Sequence, residues 1–334
     1  MKTPTAGKLV LAGDVGATKT NLGLFSFSGI RPKLEVMETY SSRSSASLDD
    51  LAAIFLEKHP EPVSVACFGV PGPVMLGHCR TTNLPWNVSE YDLENNFKWD
   101  KVVLVNDLVA TAIAVRVLEE AELFELNRGR QDPSGTIGVV APGTGLGMSI
   151  LLRRDNRSYP VASEGGHASF APTNEKEIDL LKFLLGSTPS VSLERVASGP
   201  GLFTIFSWLK DSSSYQEDPE LAESMRRGNP AQVVSFGALI KKDPLCIEAL
   251  DFFVSVVGSA AGNLALTAST TGGIYLGGGI CPQILPKLQD GTFMEAFKNK
   301  CRFREFLINI PVYVILNDKA ALIGAACSAF DLLQ

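Results

Sequence analysis

The sequence predicts a two-domain α/β protein. Its 334 residues exceed what one small core organises and suit two domains. Residues 1–110 alternate short apolar strands with helical segments, the grammar of one mixed α/β domain. The strand–glycine loop–strand arrangement of residues 12–27 then restarts at 136–152, which reads as an internal structural duplication.

Each element follows from local pattern. Leu9-Val10-Leu11-Ala12 is a short buried strand, 21–27 alternates as a second, and 34–40 is a third. Ser47 is placed to cap a helix over 48–58, with Asp49 and Asp50 in its first turn. Strands are expected at 63–68 and 102–105, and a helix at 108–118. In the second half, 136–141 and 148–152 are strands around a glycine loop. Residues 201–210, 230–240 and 243–269 carry helical apolar spacing, the last long enough to cross a whole domain. A strand at 272–276 enters a glycine turn, 311–316 is a late strand and 319–332 a terminal helix. The serine-rich, acidic stretch 211–229 reads as a surface excursion.

Composition narrows the function classes. A hydrophobic fraction of 45% and a charged fraction of 20% are those of an ordinary globular protein. The net charge of −6 argues against a nucleic-acid surface as the main function. Residues 1–8 are polar, and the apolar run after them meets Asp14 too soon for a signal core or a membrane span, so a cytoplasmic protein is expected. The six cysteines (Cys67, Cys79, Cys246, Cys281, Cys301 and Cys327) form no Cys-x-x-Cys pair, which predicts reduced, packed thiols and no zinc site.

Several short polar motifs carry the chemistry. Gly13-Asp14-Val15-Gly16-Ala17-Thr18-Lys19-Thr20 lies between two strands, which excludes a P-loop. A glycine hairpin can still offer backbone N–H groups to phosphate oxygens. Asp14 would sit beside those phosphates, where an acid serves as a Mg²⁺ partner, directly or through water; the alternative is an ordinary hairpin turn. Gly143-Thr144-Gly145-Leu146-Gly147 opens no helix, so a dinucleotide fold fails and a second phosphate-gripping hairpin fits. Asn106-Asp107 ends a buried strand, which makes Asp107 either a helix cap or a general base. Glu164-Gly165-Gly166-His167 sets an acceptor and an imidazole around two glycines that let backbone approach a ligand. Glu194 is either a substrate acceptor or a side chain paired with Arg195 or Arg154. Thr82-Asn83-Leu84-Pro85-Trp86 is a turn that either packs as a corner or puts Asn83 on a substrate hydroxyl.

In this order the motifs resemble the bacterial-type glucokinase family, within the superfamily of sugar kinases, heat-shock chaperones and actin. The resemblance spans residues 11–329 and is most specific at 143–147, 164–167, 194–201 and 272–279. It implies an α/β, two-domain actin-like ATPase fold, a duplicated ribonuclease H-like arrangement with an interdomain cleft. The small domain would hold 1–110 plus 314–334, with the last strand and helix returning to it, and the large domain 111–313. It implies ATP and Mg²⁺ as cofactors, glucose as substrate, no nucleic acid or membrane partner, and a homodimer. Asp107 would be the catalytic base. Asn106, Glu164, His167 and Glu194 would bind glucose hydroxyls. Gly16, Thr18, Thr144 and Gly145 would hold the ATP phosphates, and Gly277, Gly278 and Gly279 would approach the adenosine end.

Two departures matter. Ala17 stands where relatives often have glycine, which is tolerable if φ there is negative. The zinc-binding cysteines that related ROK kinases carry after Glu-Gly-Gly-His are missing, since the next cysteine after His167 is Cys246. The resemblance therefore points to the zinc-free group and to phosphorylation of the glucose 6-hydroxyl. The alternatives are a kinase for fructose, mannose or an N-acetyl sugar, a non-catalytic sugar sensor, or a chaperone or filament ATPase of the same superfamily.

Overall fold

The computed structural model describes residues 9–333 except Ser28, Asn156, Ser213 and Ser214. Its strands are β1 (Leu9–Val15), β2 (Lys19–Phe27), β3 (Pro32–Ser41), β4 (Val63–Val70), β5 (Val74–Met75), β6 (His78–Arg80), β7 (Asn87–Ser89), β8 (Lys101–Asn106), β9 (Leu123–Asn127), β10 (Ile137–Pro142), β11 (Leu146–Arg154), β12 (Arg157–Ser163), β13 (Gly273–Leu276) and β14 (Val312–Ile315). They form sheets of order β3-β2-β1-β4-β8, β12-β11-β10-β13-β14-β9 and β5-β6-β7.

The two larger sheets share one topology. β1 pairs antiparallel with β2 and parallel with β4, which pairs parallel with β8. β10 pairs antiparallel with β11 and parallel with β13, which pairs parallel with β14. The fold is thus the duplicated ribonuclease H-like, actin-like ATPase fold, with β9 added antiparallel to β14 in the second copy.

Two compact units divide the chain. One holds Met1–Glu122, Ser158–Ala162 and Asn317–Gln334; the other holds Leu123–Arg157 and Ser163–Leu316. These divisions fall later than the boundaries at 110 and 313 expected from sequence. The helix Asp107–Ala114 packs along the terminal helix Ala320–Asp331 and stays with the first unit. β14 is hydrogen-bonded to β13, so the last strand remains in the second unit and only the terminal helix returns to the first.

In the first unit, strand alternation covers both sheet faces. Val10 and Ala12 of β1 face Leu322, Ala325, Ala326 and Ala329 of the small-residue terminal helix. Leu11 and Val15 face the other way, onto Leu48, Leu51, Phe55 and Trp86. The helix Leu48–Lys58 begins as expected, with the Ser47 hydroxyl accepting from the Asp50 N–H.

The second unit is built on the helix Pro244–Ala268. It is long and apolar enough to cross a membrane by length and composition, but most of it is buried in the unit's core. Residues 211–229 are more than a surface excursion. They contain the helix Pro219–Arg227, started by Asp218 and Pro219, which buries Leu221 and Met225 in that core.

Candidate active site

In the first unit the parallel strands β1, β4 and β8 bring two carboxylates to one sheet edge. Asp14 pairs with Gly69, and Val70 pairs with Asn106, so Asp14 and Asp107 both stand at carboxyl ends, where ligands gather in such sheets. The ideal Cβ of Gly69 would lie 3.6 Å from the Gly13 carbonyl and 3.7 Å from the Asp107 Cα, so Gly69 sits between the two strand ends that carry the carboxylates.

The N-cap position itself falls to the residue before Asp107. Asn106 is the N-cap of the helix Asp107–Ala114, its Oδ1 accepting from the N–H groups of Leu108 at 3.0 Å and Val109 at 3.4 Å. Its Nδ2 donates to the Gly72 carbonyl at 3.2 Å. Asp107 is the first helical residue, half-buried, and its Oδ1 accepts from Leu108 N–H at 2.9 Å.

Asp14 is half-buried and faces its cross-strand partner Asn21, whose amide lies 3.5 Å from Oδ2. Burial raises its pKa from 3.8 to about 6, opposed by the Asn21 amide and reinforced by the charge of Asp318. Among the described residues no cation pairs with it. Beyond it, the turn joining β1 to β2 is closed by the Gly16 N–H donating to the Lys19 carbonyl at 2.9 Å. Ala17 does not adopt a positive φ, so the absence of glycine there costs no backbone strain. Thr18 is exposed at the tip.

The turn around Asn83 is both a corner and a tip. Trp86 is packed in the core, and its indole N–H donates to the Ser45 carbonyl at 3.3 Å. Asn83 stays exposed, and among the described residues its amide is held only by Thr82 Oγ1 at 3.3 Å.

In the second unit the carboxyl ends of β10 and β13 carry interlocked glycine turns. The Gly143 N–H donates to the Gly145 carbonyl, and the Gly143 carbonyl accepts from Gly199 N–H at the start of the helix Gly199–Ser212, both at 2.8 Å. Thr144 is exposed between them. The Gly277 N–H donates to the Val140 carbonyl at 2.9 Å. Gly278 has φ +76°, and a Cβ there would lie 2.5 Å from the Pro142 carbonyl, so only glycine fits. Gly279 is exposed with no atom near its Cβ position.

Glu194 belongs to this crown. Its Oε2 accepts from the Leu146 N–H at 2.9 Å, and it makes no ion pair with Arg195 or Arg154. Glu164 and His167 flank the short 3-10 turn Gly165–His167. Both side chains are exposed and have no hydrogen-bond partner among the described residues. The two glycines between them also answer a steric demand from the neighbouring strand. A Cβ at Gly166 would overlap the Leu146 carbonyl and one at Gly165 would meet Met148 Sδ, so the glycines let the turn seat closely on β11.

Among the described residues, no cluster of three or more His, Cys, Asp or Glu side chains gathers to hold a metal. Five cysteines are buried and Cys301 is exposed; burial pushes the Cys281 thiol up to about 12. Residues that bond to the candidate site and that sequence reasoning did not single out are Asn21, Gly72 and Ser42, the last paired with buried Thr20. A cross-strand position opposite Asp14 could have flagged Asn21. Ser42 carries no signal of its own, because only the pairing of Lys19 with Ser41 brings it to the loop.

Comparison with known proteins agrees along the whole chain. The family model described as Glucokinase matches residues 11–331. The glucokinase of Nostoc punctiforme is 37% identical over 336 residues, covering 96% of this chain and 98% of that one. The glucokinase of Cronobacter sakazakii is 33% identical over 318 residues, covering 95% and 96%. Among solved structures, the glucokinase from an Antarctic psychrotroph matches with a TM-score of 0.84 at 29% identity, covering 97% of this chain and 99% of that one. A ROK family glucokinase from Streptomyces griseus, solved in complex with glucose and AMPPNP, matches in fold with a TM-score of 0.69 at 19% identity, covering 97% and 99%.

Proposed function

The chain belongs to the glucokinase family, and on that premise we propose how its residues share the phosphorylation of glucose. The reaction is ATP-dependent transfer of a phosphoryl group to D-glucose, giving glucose 6-phosphate. Asp107 accepts the proton of the 6-hydroxyl as the O–P bond forms. Its position at the carboxyl end of β8, as the first residue of the helix that Asn106 caps, is the observation that supports this role. Glu164 and His167, exposed and unpartnered, hold sugar hydroxyls. Glu194 adds an acceptor through its second oxygen. Asn106 contributes its remaining amide proton, and Asn83 reaches from the tip of its turn.

The turns at Gly16 and Thr18, and at Gly143, Thr144 and Gly145, hold the ATP phosphates through backbone N–H groups and threonine hydroxyls. Gly277, Gly278 and Gly279 admit the adenosine end. Phosphoryl transfer through a loose, highly charged transition state leaves the protein mainly alignment and charge stabilisation to supply. Asp14 fits a Mg²⁺ partner, because it is a desolvated carboxylate whose charge no described cation offsets. When bound, Mg²⁺ would neutralise charge on the phosphate oxygens. The reading extends to a cytoplasmic homodimer, as the resemblance implies.

A coupled ADP-release assay with MgATP and a panel of hexoses tests it, run beside Asp107→Asn. Turnover with glucose that collapses in the variant while glucose still binds supports both the kinase and its base. Turnover that survives removes Asp107 from the role. Sugar binding without any turnover favours a sensor.

A further inference from the structure

We propose that Ser42, backed by Thr20, is the positioning residue of the phosphate loop, aiming the loop's backbone N–H groups at the nucleotide phosphates. This rests on the reading of Gly16, Ala17 and Thr18 as a phosphate holder. Ser42 follows β3 immediately and is fully buried, as is Thr20. The Ser42 hydroxyl donates to the Gly16 carbonyl at 2.7 Å, and the Ser42 N–H donates to the Thr18 carbonyl at 3.0 Å. One residue thus grips two carbonyls of the loop.

Counting protons orients the chain behind it. The Thr20 and Ser42 hydroxyl oxygens lie 2.9 Å apart, and either could donate. The single Ser42 hydroxyl proton is spent on Gly16, so Thr20 donates to Ser42. The buried relay therefore runs from Thr20 to Ser42 to the Gly16 carbonyl.

Peptide planarity turns this grip into function. Among the described residues no peptide bond is cis, so each carbonyl and the next N–H point in opposite directions. Drawing the Gly16 carbonyl toward buried Ser42 turns the Ala17 N–H away from it, and drawing in the Thr18 carbonyl does the same for the Lys19 N–H. The Ala17 N–H aimed in this way has no acceptor among the described residues, and neither has the adjoining Thr18 N–H. Donors held without a partner on the side where Thr18 and Lys19 are exposed suit an anionic ligand, and fixing them beforehand removes reorganisation cost from binding.

The test is calorimetric titration of Mg·AMPPNP and, separately, of glucose into the full chain. Ser42→Ala is expected to weaken AMPPNP about tenfold, the scale of one hydrogen bond to a charged group, and to leave glucose affinity unchanged. Thr20→Val keeps the Ser42–Gly16 bond and should cost AMPPNP less than about threefold. If Ser42→Ala does not fold, Ser42→Cys keeps the volume with a weak donor and should show the same split. AMPPNP affinity within about twofold of the parent in the folded Ser42 variant, or equal losses in the Ser42 and Thr20 variants, would overturn the proposal. Thr18→Glu tests the underlying reading separately, since a carboxylate at the exposed tip must repel the phosphates. If it leaves AMPPNP binding intact, the loop does not hold phosphate and the role of Ser42 falls with it.

Discussion

The Leu146 N–H donates to Glu194 Oε2 at 2.9 Å, joining two residues 48 apart in sequence. That carboxylate packs directly against Gly145, where a Cβ would overlap it. Glu194 is therefore a structural partner of the second glycine loop, and among the described residues its other carboxylate oxygen has no hydrogen-bond partner.

Gly145→Ala should expel the Glu194 carboxylate and leave the Leu146 N–H unpaired, costing about 1–3 kcal/mol. Gly143→Ala meets no atom within 4 Å and has no positive φ, so its stability should stay within about 0.5 kcal/mol of the parent. Urea melts of the two variants check this, and equal losses would remove the steric argument.

Asp107→Asn should lower kcat by a factor of about 10² to 10⁴, the usual scale of base catalysis, with glucose affinity retained. The amide oxygen can still accept from Leu108 N–H, and Asn106 continues to cap the helix. A kcat within a few-fold of the parent would assign the proton to another group.

His167→Ala and Glu164→Gln should separate function from folding. Neither parent side chain has a described hydrogen-bond partner, so melting temperatures should not move. The KM for glucose should rise about tenfold or more, as when a hydroxyl partner is lost. A fall in stability with unchanged KM would mark a structural role.

Glu122 is held by Arg31 through two bonds of 2.6 and 2.8 Å, and it also accepts from Asn317. The Arg31 guanidinium is the main cause lowering its pKa from 4.5 to about 2. A carboxylate depressed on folding stabilises fully above its unfolded pKa and loses that contribution as pH falls toward 2. Glu122→Gln should cost at most about 3 kcal/mol at pH 7, less as solvent screens the pair. The gap between parent and variant should narrow at about pH 3; a gap independent of pH would assign the loss to packing.

Asp14 has the opposite sign. Its pKa rises from 3.8 to about 6 on folding, so the folded protein loses stability as pH climbs through that interval. Asp14→Asn should therefore stabilise the ligand-free protein at pH 7.5 by about 1–3 kcal/mol while suppressing Mg²⁺-dependent turnover. A destabilised variant would show that the carboxylate is compensated by a partner.

The sequence by itself determined the periodic elements, their duplication and the position of most polar motifs. Strand alternation, the Ser47 cap and the glycine turns are local signals, readable without a partner. What only the tertiary structure decided are relations between distant segments. Gly165 and Gly166 read as a ligand approach, and only the fold shows that β11 also fills the space a Cβ would take. Glu194 read as a substrate acceptor or a partner of Arg195 or Arg154, and only the fold shows that it also serves a loop 48 residues earlier. Residues 211–229 read as an excursion, because two apolar side chains, Leu221 and Met225, show their burial only when a core lies beneath them. Ser42 carried no signal, since a lone serine after a strand becomes a grip on a glycine loop only through sheet register. Hydrogen-bond partners and steric contacts are properties of pairs, and a pair far apart in sequence exists only once the chain has folded.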